Sequence, residues 1–287
     1  MGQGFVPYLE LGLFGGGYTT NYSVATDKYT YSGDTVVVGT SLGTARYLLV
    51  ACGNSTVGIF GGGNTGSNTA VTSKYTYLGD IVAYGTVLGT ARMYFAACGN
   101  STVGIFGGGY TTVVVAVTDK YTYSGDVVTS GTSLGAARYH EAACGNTTTG
   151  IFGAGYTTVT VAVTEKYTYS NDSVVSGTSL VVGRYDLSAC GNSTVGIFGG
   201  GNAPSSVTDK YTYSGDVVTS GTALGTARYY LAACSNSTNG IFGGGFDTGN
   251  TAVTDKYIYS GDSVTSGTAL GTARAGLAAS STSHGGL

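Results

Sequence analysis

Residues 47–92 read YLLVACGNSTVGIFGGGNTGSNTAVTSKYTYLGDIVAYGTVLGTAR, and six copies of this unit account for nearly the whole chain. Each copy ends on an arginine, and successive arginines are 46, 46, 46, 44 and 46 residues apart: Arg46, Arg92, Arg138, Arg184, Arg228 and Arg274. Glycine triplets, one of them interrupted by Ala154, recur in step and begin at Gly15, Gly61, Gly107, Gly153, Gly199 and Gly243. A fixed period of this length indicates a repeat architecture.

Each unit divides into four strand-sized pieces separated by turn-forming residues. In the copy quoted above they are residues 47–52, 56–60, 70–77 and 81–88, all rich in apolar, β-branched or aromatic side chains. Four short strands in roughly 40–50 residues is the period of a β-propeller blade. We therefore predict an all-β fold, a six-bladed β-propeller with four antiparallel strands per blade.

The two ends of the chain complete each other in this repeat. Counting from the arginines, residues 275–287 correspond to a first strand, and residues 8–45 correspond to the remaining three strands of a blade. A ring closed in this way leaves no blade with an unpaired inner edge. The sequence predicts one propeller domain over residues 1–287, in which the N- and C-terminal strands share a blade.

The unit resembles a kelch repeat, and the resemblance covers nearly the whole chain in six copies. The matching residues are a glycine pair after an apolar strand, two later tyrosines, and then a leucine and an arginine: Gly61, Gly62, Tyr75, Tyr77, Leu88 and Arg92. Kelch blades usually carry a tryptophan between the tyrosine and the leucine, and this chain has none. The resemblance implies a propeller used as a binding scaffold, because a fold of this kind does not specify one function.

Composition excludes several other classes of protein. Of 287 residues 51 are glycine, 9% are charged and 42% are hydrophobic, with a net charge of -3. These values do not fit a coiled coil, collagen or a disordered chain. Acidic residues outnumber basic ones by 15 to 12, so no nucleic-acid partner is expected. No apolar run reaches the length of a membrane helix, so no membrane insertion is expected, and residues 1–14 do not resemble a signal peptide.

Four residue types recur once in most copies, and for each we favour a structural role over a chemical one. Turn aspartates are expected to bond to their own backbone, turn asparagines to form hairpins, arginines to bond to carbonyl groups, and cysteines to be small buried residues. A calcium role for the aspartates has thin support, and no metal or other cofactor is predicted. Besides the arginines, the positions are Asp34, Asp80, Asp126, Asp172, Asp216 and Asp262; Asn54, Asn100, Asn146, Asn192 and Asn236; and Cys52, Cys98, Cys144, Cys190 and Cys234.

The copies differ mainly in two segments, the residues just after each arginine and the loop after each glycine triplet. Both segments are predicted to lie on one face of the ring, which we call the variable face. Variation over a constant scaffold is typical of a recognition surface, although tolerated drift is the alternative. Tyrosine with histidine and carboxylate suits a saccharide ligand. The candidate ligand-binding residues are Tyr94, His140, Glu141, Asp186, Tyr230, Tyr110 and Tyr156.

The leading hypothesis is a non-enzymatic binding or structural propeller on a virion or another extracellular appendage, such as a tail fibre. Its partner would be a host-surface glycan or protein, or other subunits of a larger assembly. One alternative is a cytoplasmic kelch-like scaffold that binds proteins. Another is a glycosidase that uses Glu141 and Asp186 as its acid and base, for which the carboxylate pair is the only support.

Overall fold

The computed structural model describes residues 10–283, which form an all-β ring of 24 short strands joined by glycine- and asparagine-rich turns. The strands are, in chain order, β1 (Leu11–Gly15), β2 (Thr26–Thr30), β3 (Thr35–Val38), β4 (Val50–Gly53), β5 (Val57–Gly61), β6 (Thr72–Thr76), β7 (Ile81–Gly85), β8 (Ala96–Gly99), β9 (Val103–Gly107), β10 (Thr118–Thr122), β11 (Val127–Ser130), β12 (Ala142–Gly145), β13 (Thr149–Gly153), β14 (Thr164–Thr168), β15 (Ser173–Gly177), β16 (Ser188–Gly191), β17 (Val195–Gly199), β18 (Thr208–Thr212), β19 (Val217–Ser220), β20 (Ala232–Ser235), β21 (Asn239–Gly243), β22 (Thr254–Ile258), β23 (Ser263–Gly267) and β24 (Ala278–Ser281).

Six four-stranded antiparallel sheets make the six blades, so the predicted fold class is confirmed. Blade 1 has the order β24-β1-β2-β3, and blades 2 to 6 follow the chain as β4–β7, β8–β11, β12–β15, β16–β19 and β20–β23. The innermost strands, β24, β4, β8, β12, β16 and β20, contact one another around the central axis.

Blade 1 is closed by the two ends of the chain, as the repeat register predicts. Strand β24 pairs antiparallel with β1 from Gly12 opposite Ser281 to Gly15 opposite Ala278. The Thr282 amide donates to the Leu11 carbonyl at 2.9 Å and extends this pairing by one step. Residues 8, 9 and 284–287 of the predicted blade lie outside the described residues.

The apolar core lies between blades rather than at the centre of the ring. One such cluster joins blades 1 and 2 and includes Leu13, Leu49, Phe60 and Tyr75, all fully or nearly fully buried. The Phe60 ring lies 2.9 Å from the point where Gly15 would carry a Cβ, so only glycine at the end of β1 admits it. The glycine triplets therefore mark close contacts between neighbouring blades.

Strands are shorter than the sequence predicts at their variable-face ends. The predicted strand 47–52 starts only at Val50, because Leu48 takes a left-handed conformation with a φ of 56° and interrupts the extended backbone. The predicted strand 81–88 ends at Gly85, and Leu88 instead anchors the following loop, where it is buried and donates its amide to the Ala70 carbonyl.

Each repeated arginine is buried in the blade whose innermost strand follows it along the chain. In blade 3, Arg92 Nη2 donates to the Phe106 carbonyl at 2.8 Å, and Arg92 Nη1 forms a 2.6 Å ion pair with Asp119. The carbonyl bond confirms the predicted structural role, but the sequence reasoning missed the carboxylate partner. Blade 2 lacks this partner, because Ser73 stands where the other blades have aspartate or glutamate.

The turn aspartates link neighbouring blades, and most also accept a bond from a tyrosine hydroxyl of their own hairpin, so the prediction that they bond to their own backbone is wrong. Asp80 accepts the Thr40 amide of blade 1 at 3.1 Å and pairs with Lys28, also of blade 1. A carboxylate that reaches across to the next blade joins the blades as well as shaping the turn. Among residues 10–283 no group of three or more candidate ligands could hold a metal ion.

The asparagine and cysteine predictions are confirmed. Asn54 Oδ1 accepts the amides of Thr56 and Val57, which is the expected hairpin turn, and its side-chain amide also reaches the next blade. All five cysteines are buried without disulfide bonds, and burial raises the pKa of Cys52 to about 12. These thiols therefore pack between blades as small, unreactive side chains.

Candidate ligand-binding site at the mouth of the ring

Six left-handed residues surround the central axis on the variable face, one at the second position after each arginine. Their φ angles lie between 54° and 60°, in a region where glycine is the usual residue. Only one of them is glycine. The six residues are Leu48, Tyr94, His140, Asp186, Tyr230 and Gly276, and we call this set the axial ring.

Backbone hydrogen bonds join successive members of the axial ring. The His140 amide donates to the Tyr94 carbonyl at 2.7 Å, and the Asp186 amide donates to the His140 carbonyl at 3.1 Å. The same bond is repeated onward to Tyr230, Gly276 and Leu48. Left-handed φ turns each amide towards the preceding blade, so this conformation is what allows the blades to bond at the axis.

Four side chains of the axial ring converge above the axis. The Tyr94 and Tyr230 rings come from opposite blades and lie 6.5 Å apart between centroids, with their planes at 28°. The His140 ring lies 3.7 Å from Tyr94 and 6.1 Å from Tyr230. Its Nδ1 contacts the carboxylate of Asp186, which is almost fully buried. The structure therefore brings together four of the seven predicted site residues.

The electrostatics of this cluster follow from burial. Removal from water raises the pKa of Asp186 above its ordinary value, although the neighbouring His140 and Tyr230 oppose the shift. Burial likewise raises the pKa of Tyr94 to about 12. Burial therefore disfavours the charged form of Asp186, and its neighbours His140 and Tyr230 offset this only in part.

Below the axial ring lies a central cavity of about 110 Å³. Its walls are the innermost strands, which present mainly small side chains such as Ala51, Ala97 and Ala189. Small residues are required here because six strands approach the same axis. The side chains that line it below the axial ring are mainly apolar, so most polar side chains of the candidate site lie in the axial ring.

Tyr110 and Tyr156 lie further out, on the rim of the same face. Tyr139 packs between them, with centroid distances of 5.8 Å to Tyr110 and 5.7 Å to Tyr156. Tyr185 continues the row at 5.6 Å from Tyr156. In five of the six copies a backbone bridge holds the rim loop against the residue after an arginine. The predicted placement of both variable segments on one face is confirmed, and Tyr139 connects this rim to the axial ring.

Sequence reasoning did not single out a second aromatic group on the rim. Tyr22 stacks on Tyr47 at 5.1 Å with planes at 11°, and Tyr18 packs against both. Tyr22 and Tyr18 are 36% and 39% exposed, so their surfaces are open to a ligand. The signal that could have found them is the Tyr-rich loop after the first glycine triplet, which brings two tyrosines where the other copies have one or none.

Glu141 lies behind the mouth rather than in it. Its side chain has no exposed surface, and its Oε2 accepts a 2.7 Å bond from Arg138 Nε. The corresponding residue in every other blade is apolar: Leu49, Phe95, Leu187, Leu231 and Leu277. Arg138 also pairs with Glu165 at 2.9 Å, so Glu141 is a second buried carboxylate on one guanidinium. Glu141 is therefore engaged in the blade interior and does not face a ligand.

We expect Glu141→Leu to stabilise the protein, more at pH 8 than at pH 5. Burial raises the pKa of Glu141 to about 7, so the folded state binds a proton more tightly than the unfolded state. Stability consequently falls as pH rises from about 4.5 to 7, and the loss is complete above that window. Leucine removes this loss, about 3 kcal/mol at pH 8. Urea unfolding at both pH values measures it, and an equal gain at both would contradict the assignment.

Taken together, fold and site define a six-bladed β-propeller with an aromatic mouth at one end of its axis. Among residues 10–283 no helix is long and apolar enough to cross a membrane. Comparison with protein-family models and with curated proteins found no match to this chain.

Proposed function

We propose that this protein is a non-enzymatic binding propeller whose variable face recognises a saccharide. The observation that carries the proposal is the axial ring, where five of six left-handed positions hold a side chain although Gly276 meets the same backbone requirement. A non-glycine residue in this conformation costs on the order of 1–3 kcal/mol. Strain of this kind persists where the side chains serve another purpose, and here four of them converge on one accessible point.

The chemistry of the face suits sugar rings. Tyrosine rings offer flat apolar surfaces for the C–H groups of a pyranose, and their hydroxyl groups, with those of threonine and asparagine, can bond to sugar hydroxyls. Exposed Tyr18 and Tyr22 on the rim and Tyr94 and Tyr230 at the axis provide such surfaces at two distances from the centre. This spacing favours an extended glycan over a single monosaccharide.

We further propose a kelch-like propeller carried on a virion or another extracellular appendage that attaches to a host-surface glycan. Support comes from the composition, since only 9% of the residues are charged. The described surface instead presents threonine, serine, asparagine and tyrosine. A face of this composition makes many weak polar contacts with carbohydrate and few with a charged polymer.

The test is a broad glycan array probed with the intact chain and with the triple variant His140→Gly/Asp186→Gly/Tyr230→Gly. Glycine is the appropriate replacement because these residues have φ angles of 54–59°, where alanine would remain strained. We expect specific binding by the intact chain and its loss in the variant. Circular dichroism and thermal unfolding establish that the variant is still folded.

A matched control is Leu78→Ser, which removes an exposed apolar side chain from the turn between β6 and β7, on the face opposite to the variable face. It should bind as the intact chain does. Binding that survives the triple glycine variant would exclude the axial ring as the site. If the intact chain binds no glycan at all, the saccharide proposal fails and a protein partner or another subunit of an assembly replaces it.

A further inference from the structure

The variable face carries acidic side chains but no lysine or arginine within the described residues. All six arginines are buried in the blades. The lysines lie on the third strand of each blade, and four of them pair with turn aspartates at the opposite face, for example Lys166 with Asp216 at 2.7 Å. On the variable face the carboxylates of Asp186 and Asp247 have no such partner. A face of this charge disfavours sialylated, sulfated or phosphorylated ligands.

Asp186 sits within a group of aromatic rings. The centroid distances are 3.7 Å from Tyr94 to His140, 6.1 Å from His140 to Tyr230 and 6.5 Å from Tyr94 to Tyr230. The rings contact one another, so a cation lies at the open side of the group, where all three centroids can be within about 6 Å of it. Aromatic faces attract a cation through their negative quadrupole, and they do so more strongly when the site is partly dry. The His140 ring of this group already contacts Asp186.

The carboxylate of Asp186 has two side-chain partners, the His140 imidazole and the Tyr230 hydroxyl. No lysine or arginine of the described residues forms an ion pair with it. A buried carboxylate without such a cationic side chain beside it is costly, and an ammonium group supplies the missing charge.

From these observations we propose that the mouth of the ring binds the positively charged amino group of its ligand. Asp186 pairs with the ammonium, and Tyr94, Tyr230 and the His140 ring surround it. The saccharide part of this ligand rests on the proposed function. Together the two proposals describe a glycan whose sugars carry free amino groups. The rim tyrosines contact its neighbouring sugar rings.

The experiment compares two oligosaccharides of equal length by titration calorimetry at pH 5.5, where the amino groups of glucosamine are protonated: a β-1,4-glucosamine oligomer and its fully N-acetylated form. We expect the amine form to bind at least about tenfold more tightly, as a partly desolvated cation–π site with a carboxylate should give. Asp186→Asn should abolish this preference. Asp247→Asn removes an equal charge from the exposed rim of the same face and should change affinity by less than about twofold.

A third arm separates this inference from the proposed function. The probe is tetramethylammonium, a cation that contains no sugar. Its binding is followed by NMR through the imidazole proton signals of His140. The chain has two histidines, and the variant His284→Gln identifies which signals belong to His140. Shifts that vanish in Tyr230→Leu support the cation site even if no saccharide binds. Equal affinity for both oligosaccharides, or equal effects of the two aspartate variants, would overturn the cation site while leaving saccharide binding intact.

Discussion

Asp119→Ser is expected to lower the free energy of unfolding by about 3–5 kcal/mol. The substitution leaves the guanidinium of Arg92 buried in blade 3 without its 2.6 Å carboxylate partner. It also removes the acceptor for the Gly89 amide of blade 2, at 3.1 Å, so a link between blades is lost together with the ion pair. Urea unfolding monitored by circular dichroism measures the effect.

Blade 2 supplies the matched control for this prediction, because it carries serine naturally. Arg46 bonds to Ser73 at 2.8 Å and to carbonyl oxygens, and burial lowers its pKa to about 10. Ser73→Asp should give Arg46 the ion pair that the other blades have, and it should place a carboxylate near the amide of Gly43. We expect an increase of about 1–3 kcal/mol in the free energy of unfolding. If both substitutions destabilise the protein equally, the carboxylate does not stabilise the buried arginine.

Truncation after Ala275 is expected to abolish the folded monomer. It removes β24, which pairs with β1 over four residues and places Leu277, Ala278 and Ala279 in buried positions between blades. Both the inner edge of blade 1 and its contacts with blades 2 and 6 would be exposed. Size-exclusion chromatography should show aggregates or strand-exchanged dimers in place of the monomer.

Addition of the missing strand as a separate peptide tests the reason for that loss. A peptide of residues 276–283 should restore the native circular dichroism spectrum when it is added during refolding. A peptide in which Leu277 is replaced by aspartate should not, because a charge would be buried between blades. A truncated chain that stays monomeric with unchanged thermal unfolding would show that β24 does not hold the ring closed.

Much of the fold could be predicted because the repeat constrains it. Six arginines at a near-constant interval gave the number of blades, and the register of the chain ends gave their closure. The first and last residues of individual strands were harder to predict from the sequence. Leu48 looks like part of an apolar strand, and its left-handed backbone arises from a bond to Gly276, 228 positions away along the chain. Short-range sequence patterns carry no information about such a contact.

The candidate site was predicted in part. Tyr94, His140, Asp186 and Tyr230 were found because they vary at one position of an otherwise constant unit, and the structure places them together. Glu141 was included because it follows His140 and could act with Asp186 as an acid and base, but it comes after a left-handed residue and its side chain turns away from the mouth. Its carboxylate consequently enters the blade interior beside Arg138.

The sequence by itself determined the architecture of this protein, since the spacing of its glycines, arginines and tyrosines is compatible with one closed ring. Only the tertiary structure decided which side chains meet. Asp119 pairs with Arg92 from 27 positions away, and Tyr94 faces Tyr230 across the axis from the opposite blade. Such contacts depend on the angle between blades and on the packing at the axis. Those quantities are set by the balance of interactions around the whole ring, so no single repeat specifies them.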